Sequence, residues 1–328
     1  MSIIRFTKHL RIQFLQRISI LKDIASFLHL LSKYNASIGT DLDREKMQYT
    51  LLRENHVVEK GMSMRNPKKG FGQLKIKDLI VRLNKYIDLY GGCNMFLNYP
   101  LNTISKYIIY TKNIGIEIPQ IEEAFQKLCN RVDAKDLDGE AGIQVVEKTD
   151  IQKDAKEDFA QLLMSRHSIR YFTGEIPNKT LIEDALRLAS HTPSACNRQG
   201  WRTHIFLGEK SVDIAKWQEG ARGFENEIVC SILITANLKA FLYHEIHQAY
   251  IDGGLYAMNL INALHYVGLG TIALSCGFSH KKLKKLSAFN IPEEEVPIVL
   301  VGCGELLDRF KIAVSERKNI NFTNTFHN

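Results

Sequence analysis

Residues 165–201 read SRHSIRYFTGEIPNKTLIEDALRLASHTPSACNRQGW, and a polar cluster stands near each end. The first, Arg166, His167, Ser168 and Arg170, gathers two guanidiniums, an imidazole and a hydroxyl into five residues. The second is opened by Pro193 and brings Ser194, Asn197 and Gln199, one hydroxyl and two carboxamides, into a single loop. Between them Leu181, Ile182, Ala185, Leu186 and Ala189 recur at helical spacing. Pro177 precedes that run, and Thr180 with Glu183 has capping-box spacing, so a helix is predicted to start there. A helix of about ten residues is only ~15 Å long. Both clusters can therefore reach one nucleotide-sized ligand, within a chain or across a symmetric dimer.

Downstream of this stretch, helices and strands alternate. Residues 203–207 and 228–235 are apolar and β-branched, as buried strands are. A long helical run over 245–267 closes on Gly268-Leu269-Gly270. Gly253, Gly254 and Ala257 in its first half would let another helix approach closely, which makes that face the expected dimer seam. Residues 271–274 and 296–301 supply two more strands, the second with Pro297 near its start. The alternation predicts an α+β fold with helices packed over one sheet.

Upstream, residues 1–131 read as a mostly helical domain. Leu10, Phe14, Leu15, Ile18 and Leu21 fall at helical spacing, as do Leu79, Ile80, Leu83, Ile87 and Tyr90. Residues 54–72, ENHVVEKGMSMRNPKKGFG, lack periodicity and read as a loop, either structural or a substrate-contacting lid. Were that run helical, His56, Glu59 and Lys60 would share one side. Residues 132–153 are charged, with a short apolar piece at Ile143, Val145 and Val146 long enough for one edge strand, and are expected to link the first domain to a second over 154–328. Residues 1–131 hold 21 Lys and Arg against 11 Asp and Glu, so the whole excess of the +7 chain lies there. That excess fits a solvated surface or a weak contact with an anionic partner.

At 328 residues the chain can build two cores. It has no apolar run of the roughly 20 residues a membrane span needs, and its basic-interrupted start is no signal peptide. Six scattered cysteines without C-x-x-C or metal-ligand spacing fit a cytoplasmic protein with reduced thiols. His244 and His247, spaced i, i+3 on the expected helix, lack a third ligand in pattern, and no metal is expected. Nothing points to nucleic acid.

The two clusters, in order and at this separation, resemble the FMN-dependent nitroreductase family. Its members begin with Arg-(Arg/His)-Ser-x-Arg and follow with a loop close to Pro-Ser-x-x-Asn-x-Gln-Pro-Trp; here Gly200 stands before Trp201 where the family has proline. The likeness extends to Asp252 in the long helix, to Gly268-Leu269-Gly270-Thr271, to Gly302-Cys303-Gly304-Glu305 and to Arg317, about half the chain. It implies a nitroreductase-like FMN-binding fold, a mainly antiparallel sheet flanked by helices, preceded by the helical domain. It also implies that Arg166 and Arg317 take the FMN phosphate, for which a planar, bidentate guanidinium is suited. Ser168, His167 and Arg170 would serve the ribityl chain and pyrimidine edge, and Asn197, with Pro193, Ser194 and Gln199, the ring edge. Leu274, Ser275, Cys276 and Gly277 match the segment that brings backbone N–H groups to flavin N5. Nothing adjacent in sequence would activate Cys276, so it reads as a buried structural cysteine or, failing that, a redox thiol.

The implied activity is an FMN-dependent oxidoreductase working as a homodimer on a small-molecule acceptor. No G-x-G-x-x-G follows a strand, so NAD(P)H would bind at the flavin itself. The flavin carries the redox chemistry, and no catalytic side chain is assigned. Two alternatives remain: a flavin-binding module without turnover, and a flavin dehydrogenase reduced by its own substrate.

Overall fold

The computed structural model describes residues 3–34, 43–68, 70–93, 95–132, 141–242 and 244–327. The chain divides into two units. One, the sheet unit, comprises Met1–Phe27 and Val146–Phe310; the other, the helical unit, comprises Leu28–Val145 and Lys311–Asn328. This differs from the expected division at 132–153. The last 18 residues are grouped with the helical unit, and what reads as a linker contains a strand, β1 (Ile143–Glu147), and a helix, α6 (Lys148–Asp154). Part of that expected linker, 133–140, falls outside the described residues. β1 pairs with β6 (Arg309–Ala313) in a two-stranded sheet.

The sheet unit is built on β2 (Trp201–Leu207), β3 (Cys230–Asn237), β4 (Leu269–Ser275) and β5 (Glu295–Glu305), all antiparallel in the order β2-β3-β5-β4. β3 is central and buried on both faces from Cys230 to Ala236, which is why it reads as a continuous apolar run. One face meets α8 (Lys179–Ala189) and α10 (Gln248–Tyr266), whose Ile182, Ala185, Tyr256, Leu260 and Leu264 share a core with Cys230, Ile232 and Ile234. The alternate residues face the other way, where Ser211 of α9 (Glu209–Gln218) donates to Ser231 at 2.8 Å. Cys230 and Cys303, opposite one another on β3 and β5, are free buried thiols with sulfurs 3.3 Å apart.

Two local readings are corrected here. The cap of α8 is Asn178, whose side chain accepts from the Thr180 N–H at 2.9 Å; Thr180 lies inside the first turn and cannot cap it. α10 starts at Gln248, so His244 and His247 stand in the turn before it rather than on one helical face. Of the three residues expected at the seam, Gly253 and Ala257 face the chain's own sheet, a Cβ on Gly253 lying 2.5 Å from Ile298, while Gly254 is exposed. The exposed side of α10 also carries Ile251, Leu255 and Met258.

α1 (Ile3–Tyr34) runs through the first part of the chain, and its Leu10, Phe14, Leu15 and Leu21 are exposed. The core of the helical unit is made by α2 (Arg44–Met62), α3 (Gln73–Tyr90), α4 (Asn98–Asn113) and α5 (Pro119–Cys129). Leu51, Met62, Ile76, Leu83, Tyr86, Leu101 and Tyr107 are fully buried between them. The expected loop over 54–72 is half helix, because α2 continues to Met62. Among the described residues of that stretch, 63–68 and 70–72 are irregular. Phe71 lies so close over Gly61 that a Cβ there would sit 2.3 Å from the ring, and the Phe71 carbonyl accepts from Tyr107 Oη at 2.5 Å. Gly72, at φ +80°, then opens α3.

Candidate functional site

The first polar cluster leaves α7 (Phe159–Ser165) as an extended segment. Arg166 ends the helix at φ −77°, ψ 120°, and the chain then runs beside β4. Ser168 bridges to Thr271, and the Ile169 N–H donates to the Thr271 carbonyl at 2.8 Å. Gly270 admits this contact, since a Cβ there would meet Ile169 at 3.1 Å and Leu306 at 2.6 Å. Arg166 and His167 are half-buried, Ser168 is exposed, and Arg170 is buried with Nη1 3.5 Å from the Ser168 carbonyl. Behind them Ser165 Oγ and His265 Nε2 lie 2.8 Å apart in the interior. Burial, with Arg166 and His167 adding repulsion, holds the His265 imidazole down at about 4, so it is neutral at pH 7.

The second cluster is a strained loop. Cys196, Asn197 and Gln199 all have positive φ, at 52°, 55° and 48°, a conformation that costs of order 1–3 kcal/mol per non-glycine residue. What holds it is a set of charged groups that the motif does not announce. Asp252, 1% exposed in α10, accepts from the Ala195 N–H at 3.1 Å and from Gln248 at 2.7 Å. Arg198 donates from Nε to the Ala195 carbonyl and grips Glu245 with both Nη atoms at 2.7 Å. That guanidinium, helped by the Leu242 N–H, holds the Glu245 carboxyl down at about 2. Ser194 Oγ accepts from the Gln199 N–H at 2.9 Å. Asn197 and Gln199 are thereby left exposed, with Pro193 beside them. Gly200 is required where it stands: a Cβ there would lie 2.8 Å from Phe241 and 2.9 Å from Ala240.

The third segment follows β4. Ser275 and Gly277 are exposed, Leu274 and Cys276 are buried, and the Ser275 carbonyl accepts from Gln218 at 2.8 Å. Burial pushes the Cys276 thiol up to about 12, so it is no thiolate at neutral pH and has the character of a structural cysteine. Among the described residues no group of three or more His, Cys, Asp and Glu is placed to hold a metal ion, and no helix is long and apolar enough to cross a membrane.

These segments occupy different ends of the sheet unit. The first cluster is anchored at Thr271 and, through Ser165, at His265 near the end of α10. The second is anchored at Asp252, near its start. Thirteen residues of helix separate the anchors, about 20 Å. β4 runs back along α10, so its far end, 274–277, lies towards the second cluster. Arg317 is in the helical unit, exposed, at the mouth of a cavity lined also by Asn55, His56 and Glu59.

The nitroreductase family model matches residues 163–226, which include both clusters. No curated protein matches the chain. Solved structures similar to about half of it include a protein assigned as an NADH oxidase from Clostridium acetobutylicum, 21% identical, covering 50% of this chain and 97% of that one at a TM-score of 0.44. Another is assigned as a nitroreductase in complex with FMN, from Exiguobacterium sibiricum 255-15 (18% identical, 52% and 98% covered, TM-score 0.45). A third is a nitroreductase with bound FMN from Desulfitobacterium hafniense DCB-2 (16%, 52% and 97%, 0.41). The segment that matches the nitroreductase family model lies within the α+β sheet unit.

Proposed function

We propose that the protein is an FMN-dependent oxidoreductase of nitroreductase type, with each flavin held between two copies of the chain. The observation that carries this reading is the division of the site. Two clusters that suit one nucleotide are anchored about 20 Å apart along α10, and a two-fold axis would bring one chain's first cluster to its partner's second. The exposed Ile251, Leu255 and Met258 face of α10 is an apolar surface for such a contact.

The residues present fit FMN. Arg166, exposed enough to reach a ligand, offers the phosphate a charge-assisted fork, and Ser168 a hydroxyl beside it. Arg170 and His167 supply donors for the ribityl chain and pyrimidine edge. The positive-φ loop turns the carboxamides of Asn197 and Gln199 outward, where they can pair with a ring edge. The exposed backbone of Ser275 and Gly277 is the counterpart on the other strand end. When bound, FMN supplies hydride and electron transfer, with NAD(P)H as donor and a nitro, quinone or related acceptor. The chain orients the ring, balances its charge with Arg170 and Arg166, and needs no acid, base or nucleophile of its own.

The test is direct. Purified protein should be yellow or become so with FMN, and NADH or NADPH should bleach the bound flavin anaerobically. Protein that stays colourless after incubation with FMN contradicts the reading. Flavin that resists both nucleotides, yet is reduced by another compound, keeps the oxidoreductase and replaces the donor.

A further inference from the structure

The helical unit encloses a cavity of about 180 Å³ whose lining comes entirely from that unit. Its floor is polar, which is unusual for the inside of a helix bundle. Glu59, on α2, is 3% exposed; its Oε1 accepts from the Gly142 N–H at 3.0 Å and Thr103 Oγ1 at 3.4 Å, and the Ser315 N–H is a further donor to its carboxylate. No cation is paired with Glu59 among the described residues. One turn earlier Asn55, 8% exposed, directs its side chain to the same cavity, and its Oδ1 has no hydrogen-bond partner among the described residues. Asn55 Oδ1 is thus a buried acceptor left open beside a carboxylate that only neutral donors hold. Around the mouth the charge reverses: His56 and Arg317 are exposed there, with Glu316 beside them. Arg317 makes no ion pair or hydrogen bond among the described residues.

Acceptors inside and a free guanidinium outside select a ligand with opposite ends. We infer that this cavity is a binding site for a small zwitterion of the α-amino-acid class, its ammonium seated on Glu59 and Asn55 Oδ1 and its carboxylate on Arg317. An ammonium has three donors and no acceptor, so it satisfies both floor oxygens at once. A carboxylate matches the planar fork of Arg317. The cavity, at about 180 Å³, admits a ligand no larger than a small amino acid. Burial raises the Glu59 carboxyl above its ordinary range, with Glu316 adding to the effect, as expected of a carboxylate that no cation faces. This assignment takes Arg317 out of the FMN phosphate set.

The test uses the full chain and calorimetric titration with glycine, L-alanine and L-serine, with ethylamine and acetate as one-ended controls. At least one amino acid should bind, and at least tenfold more tightly than either control. Glu59→Gln and Arg317→Ala should each weaken it tenfold or more. Glu59→Gln keeps the side-chain shape and removes the buried charge, so its ligand-free melting temperature should match or exceed wild type at pH 7.5. Arg317 is exposed and its loss should leave the fold intact, with FMN affinity unchanged. No binding by any of the three amino acids, equal binding of ethylamine, or wild-type affinity in Glu59→Gln overturns the assignment. So does a lowered melting temperature in Glu59→Gln, or an Arg317→Ala chain that loses FMN affinity but keeps riboflavin affinity.

Discussion

The two units handle polar groups in opposite ways. In the sheet unit the residues offered to a ligand are short-range motifs, and long-range partners hold them still. Ala195 is tied to Asp252, Arg198 to Glu245, and Ser165 to His265. In the helical unit the offered groups are themselves assembled from afar: Thr103 and Gly142 reach Glu59 across 44 and 83 positions, and the Asn319 N–H reaches Tyr99 across 220. Buried oxygens without partners among the described residues occur in both units, Thr50 Oγ1, Asn55 Oδ1 and Asn102 Oδ1 in the helical one and Asn262 Oδ1 in the sheet one, each at a cost of about 1–3 kcal/mol. A sheet edge can present a motif written in one stretch, whereas a bundle must collect a site from several helices.

The largest effect that sharpens this comparison is on flavin affinity. Arg166→Ala should weaken FMN by roughly ten- to a hundredfold, the loss of one charge-assisted contact worth about 1.5–3 kcal/mol. Riboflavin, which lacks the phosphate, should bind as before. Equal losses for both, measured by fluorescence titration, would mean that Arg166 shapes the groove without holding the phosphate.

Next comes acid stability. The folded His265 pKa, about 4, lies below the ordinary value of 6.5, so between those values the unfolded chain binds more protons. Stability should therefore rise with pH across that window, and at pH 5 the folded state should be about 2 kcal/mol weaker than at pH 7 from this group alone. His265→Asn should flatten that part of a denaturation-against-pH profile. An unchanged slope would show that His265 does not titrate below its ordinary range in the folded chain.

Gly200→Pro, which restores the family's residue, should destabilise by about 1–3 kcal/mol through overpacking against Phe241 and Ala240. A variant as stable as wild type in urea would show that residues 240–241 yield easily. The smallest effect is that of Glu59→Gln on the ligand-free protein, a slight rise in melting temperature near neutral pH.

These contrasts also explain what the sequence made legible. The strands, the long helix and the two clusters were readable because each is a local pattern: periodicity, β-branching, or a motif within seven residues. The Gly200 substitution was visible but its reason was not, since Phe241 and Ala240 approach only in three dimensions. Arg198 and Glu245, which hold the strained loop, carried no signal beyond ordinary surface charge. Residues 54–72 read as a loop because glycine and charge dilute the apolar period, yet packing of Val58 and Met62 into the core carries α2 through half of it. His56 and Glu59 do share a side, as a helical reading of that run required, but nothing local announced the cavity. Motif order suggested a cofactor role for Arg317, and the chain around it is grouped with the helical unit, a grouping no local pattern in the sequence announced.

The central claim is that one flavin draws on two chains, and mixing complementary variants tests it most directly. Arg166→Ala and Asn197→Ala homodimers should each lose FMN. Denatured together, refolded and titrated, they should regain high-affinity FMN at about a quarter of the sites, because half the dimers are mixed and each mixed dimer keeps one undamaged site. If both clusters of a site came from the same chain, every site in the mixture would carry one of the two substitutions. No FMN would then be regained, and the shared-site account would be contradicted.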